Sequence, residues 1–279
     1  MDLSSSGGTA VAAIVRFVTW KRAARRAAAH GFQAFDRDWE APHTDRRVRR
    51  GRTLLGVLLA GGLLAATGGV ADARPAVDPE APTLLLKVRL HQHVRLHKRP
   101  GGRTVAIYGS RTEFGSRTVL TVLARRGAWA QVSASVLGGR RAWLRIDHRV
   151  ARRGTRWELR ADISDRTLTV IHDGEVRHTY TVAVGARISP TPVGRFQVTD
   201  KLKGPKYGAS YGCCIVALST DQPHPPPGWT GMARMAVHGT NVDATVGEPV
   251  SAGCLHAHAA AMRWIMRHVP NGTPVVIVR

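Results

Sequence analysis

Between Arg166 and Gly185 the sequence RTLTVIHDGEVRHTYTVAVG sets two β-rich runs on either side of Asp173-Gly174. A two-residue Asp-Gly step between such runs is a strong hairpin signal, because both residues tolerate the positive φ that a tight turn between twisted strands demands. The neighbouring segments have the same grain. TPVGRFQVTD starts another strand after a proline turn, and GTPVVIVR reads as one more. A single stretch keeps helical spacing: LHAHAAAMRWIMRH, from Leu255 to His268, sets Leu255, Met262, Ile265 and Met266 on one side, and Pro270-Asn271-Gly272 stops it. Residues 156–279 are therefore expected to be mainly β, with one packed helix.

Upstream, residues 84–150 also break into short strands. LLLKVRLHQHVRLH alternates in part, RTVAIYG and TVLTVLARR are β-rich, and GAWAQVSAS and GRRAWLRI follow turn signals at Gly127 and Gly138-Gly139. Five short strands in so few residues predict a small barrel or sandwich. RRGAWAQV and the closing AWLRI resemble bacterial SH3-like domains. Charge sets this module apart: residues 84–153 carry 16 Lys/Arg against 2 acids, whereas residues 154–279 carry 13 against 9. Most of the chain's net charge of +22 that lies beyond the N-terminal region sits here, so this module is expected to meet polyanions first. The SH3-like resemblance implies anionic cell-wall polymers as that partner; a basic, solvated face that binds nothing in particular is the alternative. His91, His93 and His97 sit at strand spacing, but no cysteine or carboxylate joins them, and no metal is expected there.

The N-terminal region reads as an export device. Residues 1–52 form a basic extension ending in Arg46, Arg47, Arg49, Arg50 and Arg52, and its length suggests a mis-assigned start. LLGVLLAGGLLAA follows, then Ala71 and Ala73 in an A-x-A arrangement, so residues 53–73 match a signal peptide with cleavage after Ala73. A retained membrane anchor over residues 53–70 is the other reading, at about 18 apolar residues. Residues 74–83 make a linker, and both readings place everything after it outside the cytoplasm. That compartment, with no recognised binding motif, excludes a nucleic-acid partner despite the charge.

The three cysteines add a constraint. In an exported chain an odd count leaves one thiol free or pairs it between chains. Cys213 and Cys214 are adjacent inside YGCCIVALS, which reads as a buried strand; they are expected as two buried or edge thiols, with a vicinal disulfide or a redox partnership with Cys254 as alternatives. Cys254 follows Ser251-Ala252-Gly253, and an isolated His238-Gly239-Thr240 lies upstream of it. If the helix begins at Leu255, Cys254 sits at its first turn, where the helix dipole and unpaired N–H groups favour thiolate and supply an oxyanion hole. His238 ends the strand-like ARMAV and is the natural base. A Cys–His pair of this kind performs acyl transfer; a buried structural cysteine beside an unrelated histidine is the alternative. Asp243 and Glu248 lie between His238 and Cys254 in sequence; either acid, or a backbone carbonyl, can orient His238.

HGT followed by SAGCL, with SPTPVGRF upstream and NGTPVVIV at the end, resembles the L,D-transpeptidase catalytic domain of bacterial cell-wall enzymes over residues 157–279. The resemblance implies an L,D-transpeptidase-type β-sandwich after the SH3-like barrel, with peptidoglycan stem peptides as substrate. It implies Cys254 as nucleophile and His238 as base, with Ser251, Gly253, Leu255, Gly239 and Thr240 as supporting motif positions. A D-alanine would leave, an acyl-thioester would form, and an amine of a neighbouring stem would attack it. No cofactor is required, and carbapenem sensitivity is implied. The sequence departs from the family at His256, where Arg or Asn is usual; a neutral imidazole there is a weaker, pH-dependent partner for a substrate carboxylate. Trp229, in the loop LSTDQPHPPPGWTGM, and Tyr207 and Tyr211, in GPKYGASYG, are candidate substrate contacts. Cys254, His256 and His258 are not expected to share a metal, because positions i, i+2 and i+4 do not lie on one helix face.

Three functions fit this sequence. The first is an exported L,D-transpeptidase with a wall-docking module. An L,D-carboxypeptidase, using water in place of the amine, is the second. A wall-binding protein with a decayed site is the third, suggested by His256.

Overall fold

The computed structural model describes residues 82–230 and 233–279. The expected extension, the signal or anchor segment and most of the linker lie outside them.

Two sheets follow one another along the chain. The first has seven strands, β1 (Thr83–Val88), β2 (His93–His97), β3 (Thr104–Gly109), β4 (Val119–Arg126), β5 (Trp129–Ser133), β6 (Arg141–Arg145) and β7 (Val150–Thr155), in the order β3-β2-β6-β5-β4-β1-β7. The run read as one alternating segment, LLLKVRLHQHVRLH, is two strands, because the chain turns at His91 with φ 59°. β7 was not legible as a strand: VARRGT holds two arginines and a glycine, yet it pairs with β1 along its full length. Alternation is plain where one face is buried. In β2, Val94 and Leu96 are in the core while His93 and Arg95 face solvent.

The second sheet has eight strands, β8 (Trp157–Asp162), β9 (Thr167–His172), β10 (Glu175–Thr181), β11 (Gly194–Lys203), β12 (Cys214–Asp221), β13 (Arg234–His238), β14 (Leu255–His256) and β15 (Pro274–Val278), in the order β10-β9-β8-β15-β11-β12-β13-β14. The hairpin expected at Asp173-Gly174 joins β9 to β10, and both turn residues have positive φ, 56° and 75°. Strand β11 is long enough to serve two partners. Gly194–Gln197 pairs with β15, and from Val198 to Lys203 it pairs with β12. Leu159, Leu168 and Ile277 from one half share a core with Val216, Leu218 and Val237 from the other. Truncating one of these leucines to alanine would cost about 2–5 kcal/mol.

The one α-helix among the described residues, α1 (Ala259–His268), packs Ala261, Met262 and Ile265 into that core. It starts later than its spacing suggests. Leu255 and His256 are extended in β14, paired in parallel with Val237 and His238 of β13, and His256 also exchanges backbone bonds with Ala183 at 3.1 and 2.8 Å. The helical preference of LHAHAAAM yields to a strand edge that offers these backbone groups partners on both sides.

Buried polar side chains join the two sheets. The Gln197 amide donates to the Val119 carbonyl at 2.7 Å and accepts the Thr121 N–H at 2.5 Å. Thr121 in turn donates its hydroxyl to the Gly272 carbonyl at 2.6 Å. The hydroxyls of Ser133 and Ser219 meet at 2.9 Å. Arg234, the first residue of β13, bonds Glu113 of the first sheet's 112–117 turn, and its Nε lies 3.4 Å from Asp221. Glycine is required at one of these contacts: a Cβ on Gly139, which has φ 86°, would lie 2.6 Å from the Thr220 side chain.

Candidate active site

Strand β13 delivers His238 to a crowded corner. Ile215 pairs with it across β12, and the next residue, Gly239, donates its N–H to the Cys214 carbonyl at 3.0 Å. A side chain at 239 would press on the Cys213 nitrogen and the Tyr211 carbonyl at 3.1 and 3.2 Å, so the close approach of the 211–214 segment favours glycine. The His238 ring is buried. Its Nδ1–H donates to the Gly239 carbonyl at 2.6 Å, which leaves Nε2 as the lone-pair nitrogen. A backbone carbonyl therefore orients the imidazole; Asp243 contacts His258 at 3.3 Å and Glu248 contacts Arg166 at 3.5 Å instead.

Extended geometry brings Cys254 to the same corner. Burial alternates from Ser251 to Ala257, with Gly253, Leu255 and Ala257 inward and Cys254 and His256 on the more open face. His238 pairs with His256 across β13 and β14, and Cys254 lies two residues before that partner, on the same side of the extended segment as His256. The rings of His238 and His256 lie 4.3 Å apart, and the Tyr211 ring lies 4.8 Å from His238 on the other strand's approach.

Hydrogen bonds hold the cysteine loop along its length. Ser251 Oγ–H donates to the Cys254 carbonyl at 2.6 Å and accepts the Gly253 N–H at 3.0 Å. Thr191 donates to the Gly253 carbonyl at 2.8 Å, and Ser189 to the Ala252 carbonyl at 2.9 Å. Beneath them the Gln222 amide nitrogen lies 3.0 Å from the Ala252 carbonyl and 3.1 Å from Ser189 Oγ. Gly253 has φ 117°, and a Cβ there would fall 1.9 Å from that nitrogen.

Burial governs the ionisation of all three groups. It pushes the Cys254 thiol up to about 11, against a backbone hydrogen bond from Ala236 that favours thiolate. The His238 ring is pushed down to about 3, by burial first and then by the charge of His256, with the Gly239 carbonyl opposing. Burial pushes His256 down to about 4. The resting pair is thus a neutral thiol and a neutral imidazole.

Residues 156–277 match the family model of the L,D-transpeptidase catalytic domain. Over these residues the chain is similar to that family. Among curated relatives, the Bacillus subtilis protein YkuD, provisionally named an L,D-transpeptidase, is 31% identical over 123 residues, 44% of this chain and 66% of its own length. YqjB of the same organism, named in the same provisional way, is 33% identical over 119 residues, 39% of this chain and 64% of its own. The chain thus spans just under two thirds of these relatives. A solved structure of L,D-transpeptidase 3 from Mycobacterium tuberculosis, with a faropenem-derived adduct, is 19% identical, covering 60% of this chain and 76% of that one at a TM-score of 0.37.

Within this segment, the structure brings His238, Gly239, Ser251, Gly253, Cys254, His256 and Tyr211 together. Thr240 shapes the following turn by accepting the Val242 N–H at 3.0 Å, and Leu255 is fully buried. Tyr207 lies elsewhere, edge-on to Phe114 of the first sheet at 6.2 Å. Trp229 is half-buried in a proline turn, its N–H bonded to the Pro226 carbonyl at 3.1 Å. The loop holding it begins only at Gln222, since Leu218–Asp221 belongs to β12.

Three expectations need correction. Cys254 precedes a strand and not a helix, so no helix terminus activates it, and burial disfavours its thiolate. The N–H of Gly253 is taken by Ser251 and is not an oxyanion donor. Cys213 and Cys214 are joined as a vicinal disulfide, not left as two thiols, while Cys254 is free. Cys254, His256 and His258 follow an extended path and not a helix, so helix geometry does not separate them; among the described residues no three His, Cys, Asp or Glu side chains group as ligands. Gln222, Ser189 and Thr191 had no assigned role in the sequence. SPTPVGRF marked the last two as a motif, but nothing local could show that their hydroxyls reach 62 or 63 residues along the chain.

Two neutral imidazoles, one buried and one half-buried, make the fold acid-sensitive. Free histidine side chains protonate near about 6.5, so below that pH the unfolded chain binds protons that folded His238 and His256 refuse, and stability falls as pH drops toward their folded values. The urea midpoint is expected to be lower at about pH 4.5 than at about pH 7. In His238→Gln that difference should shrink; an unchanged difference would assign the acid sensitivity to other groups.

Proposed function

We propose that residues 156–279 catalyse L,D-transpeptidation of peptidoglycan stem peptides through an acyl-thioester on Cys254, with His238 as general base. One observation carries this reading: a free thiol immediately before β14 and an imidazole at the end of the adjoining β13, its Nε2 lone pair available, are set at one corner by the pairing of His238 with His256. With the thiol well above neutrality and the imidazole well below, proton transfer must accompany attack. Sγ bonds to the carbonyl carbon of the stem's third residue as its proton passes to Nε2. The amide C–N bond then breaks, and the nitrogen of the departing D-alanine takes that proton. An acceptor amine attacks the thioester, giving up a proton through His238, and the thiol is restored as the C–S bond breaks.

The remainder of the chain supports the same setting. Exposed Arg95, Arg125, Arg126, Arg141, Arg145, Arg152 and Arg153 crowd the first sheet and suit it to anionic wall polymers, whose charge they complement. Residues 53–73 would export both sheets, with anchoring if residues 53–70 are retained.

The test is intact mass of the full chain after incubation with a carbapenem. The wild type is expected to gain one stoichiometric adduct. Cys254→Ala should gain none, and His238→Ala should react about 10²–10⁴-fold more slowly. A folded wild type that gains no adduct would refute the activated thiol and favour a decayed, wall-binding protein. Product analysis with a tetrapeptide stem, alone and with an acceptor amine, separates cross-linking from hydrolysis.

A further inference from the structure

We propose that His256 is a positioning residue that keeps His238 an unprotonated base: the two rings sit too close to carry a charge each, and His256 takes the first proton as pH falls. This rests on the Cys254–His238 reading above and extends it to a residue that touches neither the thiol proton nor its acceptor nitrogen in that scheme. The geometry carries it. The rings are 4.3 Å apart at an interplanar angle of 41°, fixed by direct pairing of β13 with β14 and by the backbone bonds of His256 to Ala183. Two like charges at that separation, shielded from water, cannot both form at ordinary pH, so the pair titrates in two coupled steps. The first proton goes to the better solvated ring. His256 keeps part of its surface open, whereas His238 is 5% exposed and already has its Nδ1–H committed to the Gly239 carbonyl.

Among the described residues, no neighbouring group supplies a competing charge that would reverse this order. The 209–211 turn presents the Tyr211 phenol, which burial raises, and the cysteine loop presents the Cys254 thiol, which burial also raises; both are neutral in the acid range. The adjacent 182–185 segment offers Val182, Ala183, Val184 and Gly185, and Cys213 and Cys214 are bonded as a disulfide. Two residues beyond His256, His258 contacts the exposed Asp243. The ionisation of the pair follows the same order, His256 at about 4 and His238 at about 3, with burial the larger cause in both. A protonated His256 thus spares the base, which then works at a lower pH than a lone imidazole in the same pocket.

The experiment follows the rate at which iodoacetamide, an uncharged probe, alkylates Cys254 in the full chain from about pH 3 to about pH 8, with circular dichroism confirming the fold at each point. His256→Gln removes the decoy charge, and its acid limb is expected to move up by about one pH unit. His256→Arg supplies a standing cation, and its limb should stay at or below that of the wild type. A limb that does not move in His256→Gln, or that moves alike in both variants, would overturn the proposal and leave His256 a packing residue. If His238→Ala labels at the wild-type rate with the wild-type profile, the Cys254–His238 reading itself fails, and this proposal with it. Should His256→Gln not fold, the ring-proton shifts of His238 in the wild type decide: two steps are expected, the upper one reporting protonation of His256, and one simple step near about 6.5 would overturn the proposal.

Discussion

Gly253→Ala is expected to reduce Cys254 acylation by at least about a hundredfold and to destabilise the fold by roughly 2–4 kcal/mol. Two effects add. The residue sits at φ 117°, where a side chain is strained whatever the space around it. Its new Cβ would also fall 1.9 Å from the Gln222 amide nitrogen and 2.9 Å from the carbon bearing it. Hydrogen bonds oppose a shift of Gln222. Its nitrogen lies within hydrogen-bonding distance of Ser189, Pro190 and Ala252, and its oxygen accepts the His224 N–H at 3.1 Å. Pushing it aside leaves buried carbonyls without donors and releases the loop that holds the thiol beside His238. Carbapenem adduct formation and thermal melting of the variant measure both effects. A Gln222→Ala change in the Gly253→Ala background removes the clash but not the φ strain, so a double-mutant cycle apportions the two. Wild-type acylation by Gly253→Ala would show that the loop is not held as described.

Arg234→Ala is expected to cost about 3–5 kcal/mol, because it strands a carboxylate. Arg234 opens the strand that His238 closes. Its guanidinium bonds Glu113 in the first sheet and donates to the Leu218 carbonyl at 3.2 Å, and both side chains of the pair are largely buried. Burial already raises the Glu113 carboxyl, and Arg234 is the main force holding it down. Without that cation the buried carboxylate destabilises the fold, so the variant's deficit should be largest near neutral pH and shrink as acid neutralises Glu113. For a chain of this size the loss corresponds to a melting temperature lower by roughly 6–20 °C. Scanning wild type and variant at two pH values tests it. A deficit that does not change with pH would mean that the arginine acts through packing of its stem and not through its charge.

Much of this architecture is local in origin. The Asp-Gly hairpin, the proline-led strand from Gly194 and the last strand follow from alternation and turn chemistry, which short stretches carry in full. The motif residues His238 and Cys254 are recognisable for a similar reason, since their setting of Gly239, Ser251 and Gly253 is contiguous with them. β7 failed to announce itself because its pairing with β1 outweighs a composition of arginine and glycine.

The state of Cys254 was not local at all. Its sequence neighbourhood favours a helix start, which would have made the thiol acidic. The long-range edge of β13, reinforced by Ala183, draws residues 255 and 256 into a strand and delays the helix to Ala259. The same pairing lays His256 on His238, and the reach of Thr191, Ser189 and Gln222 across the chain holds the cysteine loop in place. Residue types and their short-range spacing are enough to name the thiol and its base. Which groups touch them, and how each ionises, depends on contacts between segments far apart in the chain, because burial and through-space charge act over distance in the fold and not along the sequence.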